Sequence, residues 1–218
     1  MTTSSRAVLF DLDGTLLDTA PDLARALNRV LADDGLAPLP FATIRPHVSH
    51  GSTALVRLGY AYAPGSAEFE ARRQRLLDAY HAEVAVESRL FPGMAAVLDT
   101  LEARGLAWGI VTNKPGWLTT PLLAALALDR RAACVVSGDT TPRAKPHPDP
   151  LLAAAEALGV PAAACLYVGD AERDVIAARA AGMAVLVALY GYLAPGDEPA
   201  RWGATACIEQ VADVLAWL

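Results

Sequence analysis

Short apolar runs alternate with amphipathic stretches from residue 90 to residue 218. The apolar runs have the length and composition of buried parallel strands, and they lie at about 107–112, 133–137, 164–169, 184–188 and 205–208. The amphipathic stretches have helical spacing, and they lie at about 94–104, 115–127, 149–158, 172–181 and 209–217. Regular alternation of this kind predicts an α/β fold, in which a parallel sheet carries helices on both faces.

The first 89 residues follow a different pattern. Residues 7–12 form one more short apolar run, which predicts a further buried strand of the same sheet. Thr19 then suits the N-cap of a helix, with Asp22 in the capping position of its first turn. From there the sequence is helical up to the long amphipathic stretch 66–84, without strand-like alternation. We therefore expect an α/β core and an inserted helical cap domain, here called the helical insert: residues 1–18 and 90–218 for the core, and 19–89 for the insert.

The composition narrows the possible functions. Apolar residues make up 54% of the 218 residues, which is enough for a sizeable core, and the net charge of -6 argues against nucleic-acid binding. The longest apolar stretch, residues 183–193, is too short to span a bilayer, so no membrane association is expected. The N-terminus lacks a signal-peptide pattern and the three cysteines lack paired spacings. Both features predict buried thiols in a reducing cytoplasm.

Lysine is rare in this chain. Of the 18 basic residues only Lys114 and Lys145 are lysines, and the others are arginines. A compact ammonium and a guanidinium fork are not interchangeable, so these two positions are candidates for function. Chance explains the bias equally well unless both positions prove functional on other grounds.

Charged and polar residues gather where the predicted strands end: Asp11, Asp13, Thr112, Asn113, Lys114, Lys145, Asp170 and Asp174. The carboxyl ends of parallel strands are the usual ligand site of an open sheet, so we expect these side chains to meet there. Carboxylate oxygens select Mg²⁺, and a carboxylate is also a competent nucleophile towards phosphorus. Mg²⁺ and Lys145 would offset the repulsion between that nucleophile and a phosphate, so the set predicts Mg²⁺-dependent phosphoryl transfer.

Some of these residues admit two interpretations. Asp13 follows Asp11 by two positions, which places both on one side of an extended chain and suits a nucleophile beside a general acid/base. Asp174 suits a metal site, but it equally suits the N-terminus of a helix. Lys114 suits either a phosphate contact or a solvated helix start.

Four of these groups resemble, in the same order, the four motifs of the haloacid dehalogenase superfamily: residues 11–19, Thr112–Asn113, Lys145–Pro146, and Gly169–Asp170 with Asp174. The resemblance covers essentially the whole chain and implies a Rossmann-like sheet with a helical cap inserted after the first motif. It implies that Asp11 is the nucleophile and a metal ligand, and that Asp13 is the acid/base with its carbonyl on Mg²⁺. It further implies phosphate contacts and metal ligands as follows: Thr112, Asn113 and Lys145 at the phosphate, Asp170 at the metal, and Asp174 as a second acid nearby.

More narrowly, residues 112–115, 169–174 and 188–192 are similar to the bacterial phosphoglycolate phosphatases. Residues 201–204 and the overall layout are similar to the N-acetylmuramic acid 6-phosphate phosphatases. The two groups share catalytic motifs, so the helical insert must distinguish their substrates. The candidate substrate contacts are Arg45 and His50, from its polar loop, together with Lys114; Arg57 is another possible carboxylate contact, and for either arginine a solvated surface position is at least as good an interpretation.

Three functions stay open at this point. The first is a phosphomonoesterase acting on phosphoglycolate, or alternatively on N-acetylmuramic acid 6-phosphate. The second is a phosphomutase similar to β-phosphoglucomutase, and the third is a non-catalytic sensor of a phosphorylated metabolite. A sensor would have lost its nucleophile or acid, whereas Asp11, Asp13, Lys145 and Asp170 are all present. The expected partner is a small phosphorylated metabolite, and the expected state is a monomer or a homodimer.

Overall fold

The structure, a computed structural model, describes residues 6–218, so residues 1–5 of the predicted core lie outside it. Its strands are β1 (Ala7–Phe10), β2 (Leu17–Asp18), β3 (Arg89–Leu90), β4 (Ala107–Val111), β5 (Cys134–Val136), β6 (Cys165–Gly169), β7 (Ala184–Ala188) and β8 (Ala206–Ile208). Six of them form one parallel sheet in the order β5-β4-β1-β6-β7-β8. The parallel sheet predicted from the alternating pattern is thereby confirmed.

The register of the central strands brings their ends to one level. Strand β1 lies between β4 and β6, and Phe10 stands opposite Ile110 on one side and Val168 on the other. All four residues of β1 are fully buried, as expected for an apolar strand with neighbours on both edges. The residues that follow β1, β4 and β6 therefore lie side by side at one edge of the sheet.

The helices are α1 (Ala20–Asp33), α2 (Phe41–Ile44), α3 (Gly51–Gly59), α4 (Ala67–Ala82), α5 (Met94–Ala103), α6 (Gly116–Ala125), α7 (Asp149–Leu158) and α8 (Glu172–Ala180). Shorter 3₁₀ helices span Arg45–His50, Ala162–Ala164, Pro199–Arg201 and Val211–Trp217. The alternating side chains of β1 enter two separate apolar clusters, Val8 and Phe10 in one and Ala7 and Leu9 in the other. Helices thus cover both faces of the sheet.

Three elements differ from the sequence prediction. The predicted helix 209–217 is a 3₁₀ helix over Val211–Trp217, where Asp213 accepts a hydrogen bond from the Gln210 N–H at 3.0 Å and closes a tight first turn. Strands β2 and β3 were not predicted, because two residues are too few to show a periodic pattern. They pair antiparallel, Leu17 with Leu90 and Asp18 with Arg89, and helices α1 to α4 all lie between them in sequence. The division into core and helical insert stays a prediction.

The prediction that all three cysteines are buried is wrong for two of them. All three are free thiols, but only Cys165 is buried; Cys134 is half-buried, and Cys207 is exposed because it lies on the edge strand β8. Among the described residues, no helix combines the length and the apolar character that a membrane crossing requires.

Asp22 ties together the two segments through which the chain enters and leaves the helical insert. Its carboxylate accepts hydrogen bonds from the Ser88 N–H at 2.8 Å, the Ser88 hydroxyl at 2.6 Å and the Glu87 N–H at 3.0 Å, and it pairs with Arg25 at 2.6 Å. The predicted capping role is therefore wrong in detail, because Asp22 bonds a distant segment rather than the start of its own helix. Burial alone raises the pKa of this carboxyl, but the Ser88 and Glu87 donors and Arg25 outweigh it and lower the pKa.

We predict that Asp22→Asn lowers the free energy of unfolding at pH 7 by about 1–3 kcal/mol, because an amide cannot accept all of these bonds. The lowered pKa means that the carboxylate contributes its full stabilisation above the unfolded value of 3.8 and loses it as the pH falls through the folded value. The difference from wild type should then be constant down to about pH 5 and shrink below about pH 4. Urea unfolding at several pH values measures it, with the exposed Asp78→Asn as control. Equal stability at pH 7 would contradict the assigned contacts.

Candidate active site

Three buried carboxyl groups meet at the edge of the sheet where β1 and β6 end. Asp11 follows β1, Asp170 follows β6, and Asp174 lies in the first turn of α8. Each offers an oxygen that lies within 4.8 Å of the corresponding oxygens of the other two, and none of the residues is more than 2% exposed. The convergence predicted for Asp11 and Asp170 is therefore present, and Asp174 belongs to the same cluster.

Asp170 supplies an independent test of whether a cation fits here. One of its oxygens, Oδ2, accepts hydrogen bonds from the Ser49 hydroxyl and from the Tyr192 N–H at 2.9 Å, whereas Oδ1 is buried without a hydrogen-bond partner. Burial, reinforced by the charges of Asp11 and Asp174, raises the pKa of Asp170 to about 8. An orphaned carboxylate oxygen inside a cluster of hard oxygen donors fits a divalent cation such as Mg²⁺.

Gly14 is required for this arrangement. Its φ angle is 84°, in the left-handed region, and a Cβ atom built on it would collide with the carboxylate of Asp170. Any other residue would therefore push Asp170 out of the cluster.

Lys145 is the cation nearest to this cluster. Its Nζ lies 3.0 Å from Asp11 Oδ1 and 2.8 Å from Asp174 Oδ1, and it also donates to the Val111 carbonyl and to the Tyr167 hydroxyl. Burial alone raises the pKa of Asp174, but the nearby Lys145 ammonium prevails and the pKa is lowered. With four oxygen neighbours for three hydrogens, the ammonium has no donor to spare.

The carboxylate of Asp13 is held by the second lysine of the chain. Lys114 Nζ lies 2.8 Å and 2.9 Å from its two oxygens, and the Thr19 hydroxyl donates to Oδ1 instead of capping its own helix. The ammonium also lies 4.6 Å from the centre of the Tyr80 ring, which comes from the helical insert. Burial alone lowers the pKa of Lys114, yet the Asp13 carboxylate more than compensates and the pKa is raised. A solvated position for Lys114 is excluded by its burial.

Thr112 and Asn113 do not share one environment. Thr112 is buried, and its hydroxyl oxygen accepts the Lys114 N–H at 3.1 Å. The Asn113 side chain bonds the backbone of Lys145 twice: it donates to the carbonyl at 2.8 Å and accepts from the N–H at 3.0 Å. Asn113 thereby fixes the loop that carries Lys145. Its contact with a phosphate stays a prediction, because the side chain lines the cavity and its amino group has a second hydrogen to donate.

A cavity of about 340 Å³ opens above these groups, between the core and the helical insert. Its lining includes core residues and insert residues: Asp11, Asp13, Thr112, Asn113, Lys114 and Arg173 from the core, and Leu23, Val48, Ser49, His50, Gly51, Ser52, Thr53, Leu55, Arg73, Leu77 and Tyr80 from the insert. Asp11 and Asp13 thus face the same space, as their spacing predicted.

Only some of the residues predicted as substrate contacts line the cavity. Lys114 and His50 line this cavity. The Nε2 atom of His50 also lies 3.9 Å from Asp197 Oδ2. Arg45 does not line the cavity, because its guanidinium lies 4.7 Å from the centre of the Tyr192 ring and donates to the Gly191 carbonyl at 3.4 Å. Arg57 is exposed and also lies outside the lining.

Several residues of the site were not singled out from the sequence. Arg173 lies inside the fourth motif, and its Nη2 atom is 3.9 Å from Asp11 Oδ2. Ser49 lies in the polar loop of the helical insert and donates to Asp170. Arg73 and Tyr80 lie on α4, seven positions apart and therefore on one face of it, so helical spacing was the available signal.

Comparison with known proteins agrees with this geometry. The family model of the haloacid dehalogenase-like hydrolases matches residues 8–188. A phosphoglycolate phosphatase of Xanthomonas campestris is 46% identical over 205 residues, which cover 94% of this chain and 92% of the relative. An N-acetylmuramic acid 6-phosphate phosphatase of Pseudomonas putida is 41% identical over 204 residues, with the same coverage of both chains.

A solved structure from Haemophilus somnus, described as a predicted phosphoglycolate phosphatase, has the same fold. It superposes with a TM-score of 0.86 at 29% identity and covers 99% of both chains. Coverage this complete includes the helical insert as well as the sheet.

We predict that Mg²⁺ raises the melting temperature of the wild-type protein by roughly 5–10 °C at about 100 times its dissociation constant, because it binds only the folded cluster. Asp170→Asn should abolish the shift without destabilising the metal-free protein, since it removes a carboxyl group whose charged form is costly. Asp197→Asn, outside the cluster, should keep the shift. An equal rise in melting temperature in Asp170→Asn and in the wild type would show that the cation does not bind at Asp170.

Proposed function

This chain belongs to the haloacid dehalogenase-like hydrolases and is a phosphoric monoester hydrolase, and on that basis we propose that it hydrolyses 2-phosphoglycolate with Mg²⁺ as cofactor and Asp11 as nucleophile. The observation that carries the proposal is the position of Asp11. Its carboxylate lies at the floor of the cavity, beside Lys145 at 3.0 Å and within 4.8 Å of the carboxylates of Asp170 and Asp174.

The two oxygens of Asp11 have different surroundings. Oδ1 accepts the Leu12 N–H at 2.7 Å and the Lys145 ammonium at 3.0 Å, so its position is fixed. Among the described residues Oδ2 has only the ion-pair contact with Arg173, which leaves it available for a bond to phosphorus. Attack by this oxygen would give an aspartyl-phosphate, and water would then release inorganic phosphate from it.

Mg²⁺ held by Asp11, Asp170 and the carbonyl of Asp13, with Asp174 as a further acid close by, would neutralise part of the charge on the carboxylates and on the phosphoryl oxygens. Lys145 would keep Asp11 and Asp174 in place through both steps, because its ammonium contacts both carboxylates. Asn113 would hold the backbone that carries Lys145.

Asp13 and Lys114 would act on the leaving group. Asp13 is the carboxyl group that would protonate the departing oxygen and later accept a proton from water. Lys114 bonds both oxygens of Asp13, so its ammonium lies close to where that departing oxygen must be. In 2-phosphoglycolate the carboxylate is attached to the same CH₂ group that carries the ester oxygen. Lys114 would therefore bind this carboxylate and release Asp13 for proton transfer.

N-acetylmuramic acid 6-phosphate is the second candidate, and the size of the cavity favours it. A volume of about 340 Å³ exceeds what 2-phosphoglycolate fills. Arg73 is a second cation in the lining of the cavity. It lies seven residues before Tyr80 on α4, which is about 10 Å along the helix. The Tyr80 ring in turn lies beside Lys114. The only ion pair of Arg73 among the described residues is with Glu70 on its own helix. A distant carboxylate, such as that of the lactyl ether, would reach Arg73 rather than Lys114.

The helical insert would keep bulk water out while substrate is bound. The same enclosure suits a phosphomutase, which would return the phosphoryl group to a hexose phosphate instead of releasing it. We place the reaction in the cytoplasm, where free thiols such as those of Cys134, Cys165 and Cys207 persist.

We predict Mg²⁺-dependent release of phosphate from 2-phosphoglycolate, abolished by a chelator and restored by added Mg²⁺. Asp11→Asn should lower kcat by at least about 10³-fold, because an amide is not a nucleophile towards phosphorus, and it should still fold. Asp129→Asn, on the exposed surface, is the control. Retained turnover in Asp11→Asn would refute the nucleophile, and interconversion of hexose phosphates without free phosphate would favour the phosphomutase.

We further predict that Lys114→Met and Arg73→Met separate the two candidate substrates. Lys114→Met should reduce the preference for 2-phosphoglycolate over ethyl phosphate by about 10- to 100-fold, the range expected for about 1.5–3 kcal/mol from a hydrogen bond to a charged group. Effects of Lys114 on Asp13 cancel in this ratio, because both esters need the same acid. Arg73→Met should leave the ratio unchanged.

A second pair of esters, with and without the lactyl carboxylate, tests N-acetylmuramic acid 6-phosphate as the substrate. If N-acetylmuramic acid 6-phosphate is the substrate, Arg73→Met should lower its preference over N-acetylglucosamine 6-phosphate, which lacks the carboxylate, and Lys114→Met should not. Each variant serves as the control for the other. A preference for 2-phosphoglycolate that survives Lys114→Met would contradict the assignment of Lys114.

A further inference from the structure

Arg173 has a partly buried side chain, 23% exposed, with unused hydrogen-bond donors. It lies in the first turn of α8, and its Nε atom is buried without a hydrogen-bond partner. Within residues 6–218 the guanidinium donates no hydrogen bond, and its closest ion pair is the 3.9 Å contact between Nη2 and Asp11 Oδ2. Buried donors are nearly always satisfied in proteins, so an unsatisfied one beside a nucleophile indicates a missing acceptor.

Two cavities meet at this side chain. Arg173 and His50 line both the large cavity above Asp11 and a smaller one of about 220 Å³ that reaches Asp170 and Asp197. The guanidinium therefore stands in the wall between two open spaces rather than inside packed protein. The exposed part of the guanidinium therefore borders space that a ligand can enter.

The other cations of the site are already engaged. The cations that pair with the carboxyl groups of the site are Lys114, Lys145 and Arg173. Lys114 bonds both oxygens of Asp13, and Lys145 has four oxygen neighbours for its three hydrogens. Of the cations that pair with these carboxyl groups, Arg173 is thus the one that donates no hydrogen bond within residues 6–218. Its planar fork also matches two oxygens of a phosphate at once.

We propose that Arg173 binds the transferred phosphoryl group, donating two N–H bonds to its non-bridging oxygens before transfer and while the group is on Asp11. This inference rests on the proposed phosphatase function. The guanidinium stays protonated throughout and forms no covalent bond. Its contact with Asp11 in the structure marks the place where the phosphoryl oxygens lie when substrate is present.

The test compares Arg173→Gln and Arg173→Lys with Arg179→Gln, which replaces an exposed arginine of the same helix. Inhibition by orthovanadate and by inorganic phosphate, with Mg²⁺ present, reports anion binding at the reaction centre. Calorimetric titration with inorganic phosphate and Mg²⁺ measures the same binding without turnover. Melting temperatures show whether each variant is folded.

Arg173→Gln should weaken vanadate and phosphate binding by about 10- to 100-fold and lower kcat/KM by a similar factor. Arg173→Lys should weaken them by about 3- to 10-fold, because an ammonium cannot bind two oxygens in the same plane. Arg179→Gln should bind like wild type. Binding within about twofold of wild type in folded Arg173→Gln would overturn the proposal. If that variant does not fold, wild-type binding by Arg173→Lys overturns it.

The result is separable from the proposed function itself. A wild-type protein that releases no phosphate from any ester with Mg²⁺ would refute the function, and calorimetry would still report whether Arg173 binds phosphate. A lowered melting temperature with unchanged phosphate binding would assign Arg173 a structural role and contradict the proposal.

Discussion

Three carboxyl groups held within 4.8 Å of one another, in a place almost without solvent, are the constraint on which the rest of this structure depends. Buried charges of one sign are costly unless cations or donors compensate them. Lys145 compensates Asp11 and Asp174, whereas one oxygen of Asp170 is left without a partner and its pKa rises to about 8. The cluster is therefore incomplete without a further positive charge, and this incompleteness is what makes it suited to a metal and an anionic substrate.

The helical insert takes part in the same electrostatic arrangement. Ser49 bonds Asp170, and the Tyr80 ring lies against the ammonium of Lys114, so the two halves of the cavity meet at charged groups of the core. At the other end Asp22 joins the entry and exit segments of the insert through hydrogen bonds to Glu87 and Ser88. Any opening of the cavity between insert and core would break the first set of contacts, so access of substrate would be coupled to the surroundings of Asp170 and Lys114.

Much of the fold and part of the site follow from the sequence. Apolar runs of strand length located the sheet, and the strand-end rule placed Asp11 and Asp170 together, because both depend on local pattern and on parallel topology. The rarity of lysine identified Lys114 and Lys145, and both are buried beside carboxylates. Contacts between distant segments could not be predicted. Asn113 bonds the backbone of Lys145, and Arg45 packs on Tyr192 instead of lining the cavity, because loop conformations rather than periodicity decide where these side chains end.

The central claim is that Asp11 receives the phosphoryl group, and chemical trapping tests it most directly. An aspartyl-phosphate is an acyl phosphate, which borohydride reduces to homoserine, so quenching the enzyme with borohydride during turnover and mapping peptides by mass spectrometry identifies the modified residue. The account predicts homoserine at position 11, formed only when both substrate and Mg²⁺ are present. Modification at another carboxyl group, or continued hydrolysis with Asp11 unmodified under conditions that trap acyl phosphates, would contradict it.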